Sequence, residues 1–219
     1  MMAQAANDTG WRGSSEAWIE AAFEGLIESG VEAVRIMPLA KKLNLSRTSF
    51  YWFFKDREEL LTALITRWRT KNTGNLVTQA EAYAESIAEA TLNVFDCWHN
   101  PDLFDSRLEY AIRSWALQSP DVSAEVKAAD VIRLDALANM FVRFDYGLRA
   151  ADVRARTIYL TQIGYISMKM NETSSDRMKR IADYVEIFTG RTPERRELER
   201  FFARHGHSSA TPDNAVAVG

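Results

Sequence analysis

The sequence predicts an all-α protein: an N-terminal three-helix helix-turn-helix domain followed by a C-terminal helical bundle, about nine to ten helices in total. Three observations carry this. Apolar residues recur at i, i+3, i+4 spacing along nearly the whole chain. The alternating or β-branched runs that mark strands are missing. Capping residues, prolines and glycines punctuate the apolar stripes where helices should start and stop.

The stretch 1–13 is small, polar and without periodicity, and reads as an unstructured terminus. The first helix is expected to start near Ser14 or Ser15, to bury Trp18, Ala22, Phe23 and Leu26, and to end at Ser29 and Gly30. Leu39, Ala40 and Leu43 form the stripe of a short second helix with Lys41 and Lys42 on its other side. Asn44 tolerates the left-handed conformation of a tight turn, Leu45 plugs the corner, and Ser46 caps a third helix over about 47–54. Phe50 with Phe53 or Phe54 can face inward there, leaving Arg47, Thr48, Tyr51 and Trp52 outside. Asp56 caps a fourth helix with the stripe Leu60, Leu61, Leu64, Ile65 and Trp68, ending between Asn72 and Gly74.

The remainder reads as helices as well. A fifth runs from about Leu76 to Trp98, and Asn100-Pro101 and Ser119-Pro120 each supply a cap followed by proline for the sixth and seventh. The seventh reaches about Phe144 and breaks at Gly147. The eighth, about 150–170, is apolar on two sides and needs two things to bury against. The ninth carries Met178, Ile181, Val185 and Phe188 and stops at Gly190, and Thr192-Pro193 opens a last short helix. The domain reading is therefore an unstructured start at 1–13, a helix-turn-helix domain at 14–72 that includes the fourth helix, a helical body at 75–204, and an unstructured tail at 205–219.

Composition narrows the function classes. No apolar run approaches the length of a membrane span, the start lacks a signal-peptide pattern, and a single cysteine, Cys97, suits a reducing cytoplasm. The net charge is −3, yet the segment 35–57 holds six basic residues against one acid. Positive charge is thus concentrated where the helix-turn-helix spacing lies. An Arg and a Thr at the start of the third helix suit base edges in a major groove, and Tyr51, Lys55 and Arg57 suit phosphates. The candidate DNA-contact set is Arg35, Lys42, Ser46, Arg47, Thr48, Ser49, Tyr51, Trp52, Lys55 and Arg57. Two short amphipathic helices often mimic this motif by accident, and Trp52 can equally be packing, so the charge cluster is what tips the balance.

The run LAKKLNLSRTSFYWFFKDREELL also resembles the helix-turn-helix signature of TetR-family transcriptional regulators, over roughly 18–68. Asn44 stands where that family usually has Gly, Arg57 where it has Lys, and Arg35 where a Thr often caps, from which an Arg can reach the DNA backbone instead. The resemblance implies double-stranded operator DNA as partner, a homodimer formed through the last long helices, and a small-molecule inducer bound in the body.

For the dimer, the expected interface is Tyr159, Ile163, Ile166 and Met170 with Met178, Ile181 and Val185, with Gly164 permitting close approach. For a small apolar or aromatic effector, the dense aromatics Phe95, Trp98, Phe104, Tyr110, Trp115, Phe141 and Tyr165 are candidates, although each can simply be core. Asp130 sits on the stripe of Leu134, Leu137 and Phe141 and should pair with Arg113 or Arg133. No cofactor, metal site or catalytic constellation is expected. Cys97 and His99 point to different helix faces, His205 and His207 need further ligands, and phosphate loops and nucleophile elbows are missing. A DNA-binding regulator released by an effector is the favoured reading, against a dimeric DNA binder with a filled core or a helical interaction protein without DNA binding.

Overall fold

The computed structural model describes residues 13–170 and 172–207; of the unstructured stretches expected at 1–13 and 205–219, residues 1–12 and 208–219 lie outside the described residues. The described residues form helices and turns, without strands. They divide into two units, up to Arg67 and from Trp68 onward.

In the first unit, α1 spans Ser15–Ser29, and the Ser14 hydroxyl accepts the Ala17 N–H at 3.1 Å. That satisfies one of the donors a helix start leaves orphaned. Its inner side buries Trp18, Ala21, Ala22, Phe23 and Leu26. A 3-10 turn at Val31–Ala33 leads to α2, Ile36–Leu43, with Leu39 and Ala40 buried. Asn44 adopts the left-handed conformation at φ 54°. The Leu45 N–H reaches Ala40 O at 2.9 Å and the Asn44 N–H reaches Lys41 O at 3.2 Å, the paired bonds that close a helix C-terminus. Gly13, at φ 76°, lies so near this corner that an added Cβ would stand 2.7 Å from Leu45 Cδ1, so ordered chain begins before Ser14.

The third helix, α3, is Arg47–Phe50, shorter than the expected 47–54. Beyond Phe50 the bonds tighten to i→i+3, with Trp52 N–H on Ser49 O at 3.3 Å and Phe53 N–H on Phe50 O at 3.0 Å, so the helix continues as a narrower turn. Phe50 meets Trp18 edge-on at 5.2 Å and stacks on Phe54 at 5.4 Å. Helix α4, Arg57–Trp68, starts where Asp56 Oδ1 accepts the Glu59 N–H at 3.0 Å.

The second unit begins at Trp68, earlier than the Asn72 boundary expected from sequence. The reason is a buried polar network that claims the end of α4 and the helical turns after it. Residues Arg69–Gly74 form a π-helical segment, and α5, Asn75–Glu81, continues from it. Trp68 Nε1 donates to Glu109 Oε2 at 2.7 Å, Asn72 Nδ2 to the same oxygen at 2.9 Å, and Arg133 Nε to Thr73 Oγ1 at 2.9 Å. An α-helix at 3.6 residues per turn would swing position 73 about 140° from position 68. The wider π turn keeps 68, 72 and 73 toward one side.

The rest of the body comprises α6 (Ile87–His99), α7 (Ser106–Ala116), α8 (Pro120–Arg143), α9 (Leu148–Ser167), α10 (Ser174–Met178), α11 (Ile181–Thr189) and α12 (Arg195–Arg204). Helix α8 packs along α9, α5 lies on α6 and α8, α7 on α8 and α9, and α11 and α12 on α6. Two expected helices are each split. The 76–98 stretch breaks between Glu81 and Ser86, where Ser86 caps α6 by accepting the Glu89 N–H at 3.1 Å. The helix of Met178 and Val185 breaks into α10 and α11, with Gly190 ending the latter at φ 69°.

Two expected caps move. Asn100 turns its side chain to the Asp102 N–H, and Asp105 instead caps α7 through the Arg107 and Leu108 N–H groups at 2.9 and 3.0 Å. At α12 the Glu194 N–H is accepted by Glu197 at 2.6 Å, so that helix opens after Thr192-Pro193. The tail does not begin at His205, whose ring nitrogen lies 2.7 Å from Asp96 Oδ1.

Glu109 and Arg133, both without solvent exposure, form the centre of the network at 2.7 Å. Arg113 adds its Nε to Glu109 at 2.9 Å and pairs with Asp130, which also accepts from Tyr159 at 2.5 Å. Asp130 thus takes the arginine from the preceding helix, one of the two pairings expected. Burial pushes the Glu109 carboxyl up, but Arg133, Arg113 and Asn72 outweigh it and hold the group down at about 2.

Candidate nucleic-acid interface and effector crevice

The interface is built by α2, α3 and the turn that joins them. Ser46 Oγ accepts the Ser49 N–H at 3.2 Å, fixing the start of α3 and leaving its first residues outward. Arg47, Thr48, Tyr51 (47% exposed) and Trp52 (65% exposed) are all open to solvent. The Arg47 guanidinium donates to the Tyr51 hydroxyl at 2.9 Å, and the Tyr51 ring stands edge-on to Phe50 at 5.4 Å. Phe50 is wholly buried, so the surface pair is footed on the core. Lys41 and Lys55 lie exposed on either side.

Three candidate contacts are otherwise engaged. Ser49 is buried and its hydroxyl lies 3.0 Å from that of Ser46, so it shapes the cap and does not face out. Arg57 donates from Nε to Val34 O at 2.6 Å and from Nη2 to Val31 O at 2.8 Å, tying the start of α4 to the 3-10 turn. Those carbonyls take the donors that a phosphate would need. Lys42 pairs with Glu24 at 2.7 Å, a hydrogen bond that raises its pKa and offsets its charge. Arg35 remains at the start of α2, paired with Glu32 at 3.2 Å but well exposed, and makes no side-chain cap.

The expected dimer face turns out to be interior. Tyr159, Ile166, Met178, Ile181 and Val185 are buried in the body's core, Ile163 packs against it, and Met170 alone of that set is exposed. Both sides of the eighth expected helix are apolar, so periodicity could not say which side faces in. On the opposite side of α9, Val153 (55% exposed), Leu160 (59%) and Met168 (73%) face solvent. Val153 shares a surface groove with the exposed Ile187 of α11, and nothing crowds Gly164 within 4 Å.

Of the aromatic candidates, Phe95, Trp98 and Tyr165 line a narrow, half-open crevice of about 40 Å3, together with His99, Arg177, Arg180 and Tyr184 among others. Phe104 and Phe141 are buried core instead. Tyr110 carries Lys169 Nζ 4.2 Å from its ring centroid, and neither it nor Trp115 reaches the crevice. The arginines of α10 and its C-terminal end were missed by sequence reasoning, which weighed aromatics alone. Burial and the nearby Arg177 cation drive the His99 pKa down to about 3, so its ring is neutral at pH 7. Cys97 is fully buried, which pushes its thiol up to about 12. No group of three or more His, Cys, Asp or Glu among the described residues is placed to hold a metal, and no described helix is long and apolar enough to cross a membrane.

Residues 19–64 match the family model of bacterial regulatory proteins, tetR family. Among curated proteins no match was found. Solved structures of similar fold include a candidate TetR-family transcriptional regulator from Mesorhizobium loti MAFF303099, 16% identical, with 87% of this chain and 95% of that one covered at a TM-score of 0.54. Another is a transcriptional regulator from Rhodococcus sp. Rha1, also 16% identical, with 88% and 97% covered at a TM-score of 0.54. Residues 19–64 thus carry a tetR-family helix-turn-helix, and the chain shares its fold with these solved structures along most of its length.

Proposed function

We propose that the chain is a DNA-binding transcriptional regulator of the cytoplasm, a homodimeric repressor released from a palindromic operator by a small-molecule effector. The observation that carries the DNA-binding part is the exposed Arg47, Thr48 and Tyr51 at the capped start of α3, on a foot of buried Phe50, within the segment where basic residues cluster. Arg47 reads a base edge, a bidentate guanine contact being worth about 1–3 kcal/mol of discrimination. Tyr51, Lys55, Lys41 and Arg35 meet the backbone and set the register.

Dimerisation follows from the need to pair two half-sites about one helical turn or more apart. The outward stripe of Val153, Leu160 and Met168 with Ile187 supports a partner on that side of α9 and α11, in place of the buried set. The crevice beside Trp98 and Tyr165 supports an effector site. The helical chain from Arg57 through the π segment into α5 gives an effector a route to the reading helices. A coupling of about 1–3 kcal/mol is enough for release. Selection of bound sequences from a random duplex pool tests the proposal. Enrichment of an inverted repeat supports a dimeric reader, and a pool that stays random removes DNA recognition.

A further inference from the structure

The crevice holds more donors than its own residues satisfy. Among the described residues, buried side-chain nitrogens without a hydrogen-bond partner are Trp18 Nε1, Trp98 Nε1 and Arg180 Nε, and both Trp98 and Arg180 line this one crevice. Arg177 lines it too. Its guanidinium has no carboxylate partner among the described residues, only a long 3.4 Å bond to Gln162 Oε1 and the Tyr165 ring at 5.5 Å. Burial lowers its pKa, whereas the other shifted arginines, all matched to an acid, are raised. Glu172 is paired with Arg180 at 2.5 Å and only partly offsets the burial of Arg177, while Asp96 is occupied by His205 and Arg204. An underpaired cation beside orphaned N–H groups is costly unless an anion completes it.

The remaining walls are largely aromatic, with Ile158, Ile181, Thr161 and Gln162 between the rings. Phe95 packs on Trp98 at 5.4 Å and on Phe188 at 6.2 Å, and Tyr184 stacks on Phe188 at 5.5 Å. Inorganic anions gain nothing from such walls, while a planar apolar body does. We propose that the crevice binds an arylcarboxylic acid, its ring among Phe95, Trp98 and Phe188 and its carboxylate on Arg177, completed by the Trp98 and Arg180 N–H groups. A carboxylate accepts the bidentate donors of a guanidinium, which a neutral amide cannot do equally well. The assignment deepens the effector reading and rests on it only for the consequence at DNA.

Benzoate, phenylacetate and 2-naphthoate are titrated into the protein without DNA, each beside its primary amide, by calorimetry and by Trp fluorescence. At least one acid binds, and its amide binds at least tenfold more weakly. Arg177→Met loses at least tenfold for the acid while the amide is unaffected, and Trp98→Phe gives a smaller loss. The acid and amide comparison uses the native chain, so it stands even if a variant misfolds. Equal affinity for acid and amide, no binding by any of the acids, or undiminished binding by a folded Arg177→Met overturns the inference. A gel shift with the bound acid is scored separately. Acid binding that leaves operator affinity unchanged removes effector release and leaves the anion site standing.

Discussion

Removing the Glu109 carboxylate isolates the energetics of the body from any question of DNA. Glu109 accepts from Trp68 at 2.7 Å, Asn72 at 2.9 Å, Arg113 at 2.9 Å, and Arg133 at 2.7 and 3.1 Å. In Glu109→Ala, Arg113 keeps Asp130, but Arg133 retains only the neutral oxygens of Thr73 and Tyr159, at 2.9 and 3.0 Å. A fully buried guanidinium is left without a counter-charge, at a cost of about 3–5 kcal/mol. For a domain whose total stability is about 5–15 kcal/mol this is a large share. With about 2–4 °C per kcal/mol at this chain length, Tm falls by about 6–20 °C. The assay is chemical and thermal denaturation followed by circular dichroism. Glu109→Leu combined with Arg133→Met, which removes both charges, loses less than Glu109→Ala alone, because charge burial and charge pairing offset each other. A loss below about 1 kcal/mol for Glu109→Ala, or strictly additive single changes, refutes the reasoning.

Other expectations concern separate parts of the molecule. Arg57→Ala lowers stability by about 1–3 kcal/mol, since the Val31 and Val34 carbonyls lose a charged donor, and leaves the salt dependence of DNA binding unchanged. Lys55→Ala does the reverse, flattening that dependence by about 0.9 in log–log slope for each protomer bound, about 1.8 for the proposed dimer, without touching stability. Acid lowers stability in two stages. The folded pKa of His99 is depressed from 6.5 to about 3, so below pH 6.5 the unfolded chain takes up a proton that the folded one refuses. Glu109, depressed from 4.5 to about 2, adds a second loss below pH 4.5. Each group contributes a slope of at most about 1.4 kcal/mol per pH unit, read from denaturant melts across about pH 2–7. His99→Phe removes the upper stage, and a native curve already flat between 6.5 and 4.5 contradicts the assignment. For the proposed dimer, Leu160→Asp gives a monomer in sedimentation, whereas an unchanged mass moves the proposed interface off that side of α9.

Features set by neighbours a turn away could be read from the sequence. Ser14, Ser46, Asp56 and Ser119 cap the helices expected of them, because the side-chain oxygen and the N–H it accepts lie within three residues. Asn44 takes the left-handed turn for an equally local reason. Asn100-Pro101 misled because its side chain closes a small turn and Asp105, a few residues later, offers two acceptor bonds to the helix start. Long-range choices were less legible. That Arg57 would spend its donors on carbonyls of the 3-10 turn depends on a meeting between segments far apart in sequence. Phe95 and Phe104 have the same side chain and are equally buried in the core, and only packing brings Phe95 to the wall of the crevice. The cost of an unpaired Asp130 did point to Arg113, because an electrostatic penalty can be foreseen even when geometry cannot.

The hydrogen bond between Arg47 and Tyr51 bears on how forgiving the protein is toward imperfect sites. In the proposed complex the guanidinium exchanges a phenol oxygen for a base edge. On a substituted base pair it can return to the phenol at 2.9 Å, so a poor sequence never strands the cation. Discrimination at that position should then sit at the low end of the range for such contacts, about 1 kcal/mol, and Tyr51→Phe should sharpen it even while weakening affinity everywhere. A built-in fallback of this kind favours a regulator that tolerates several related promoters over one tuned to a single address.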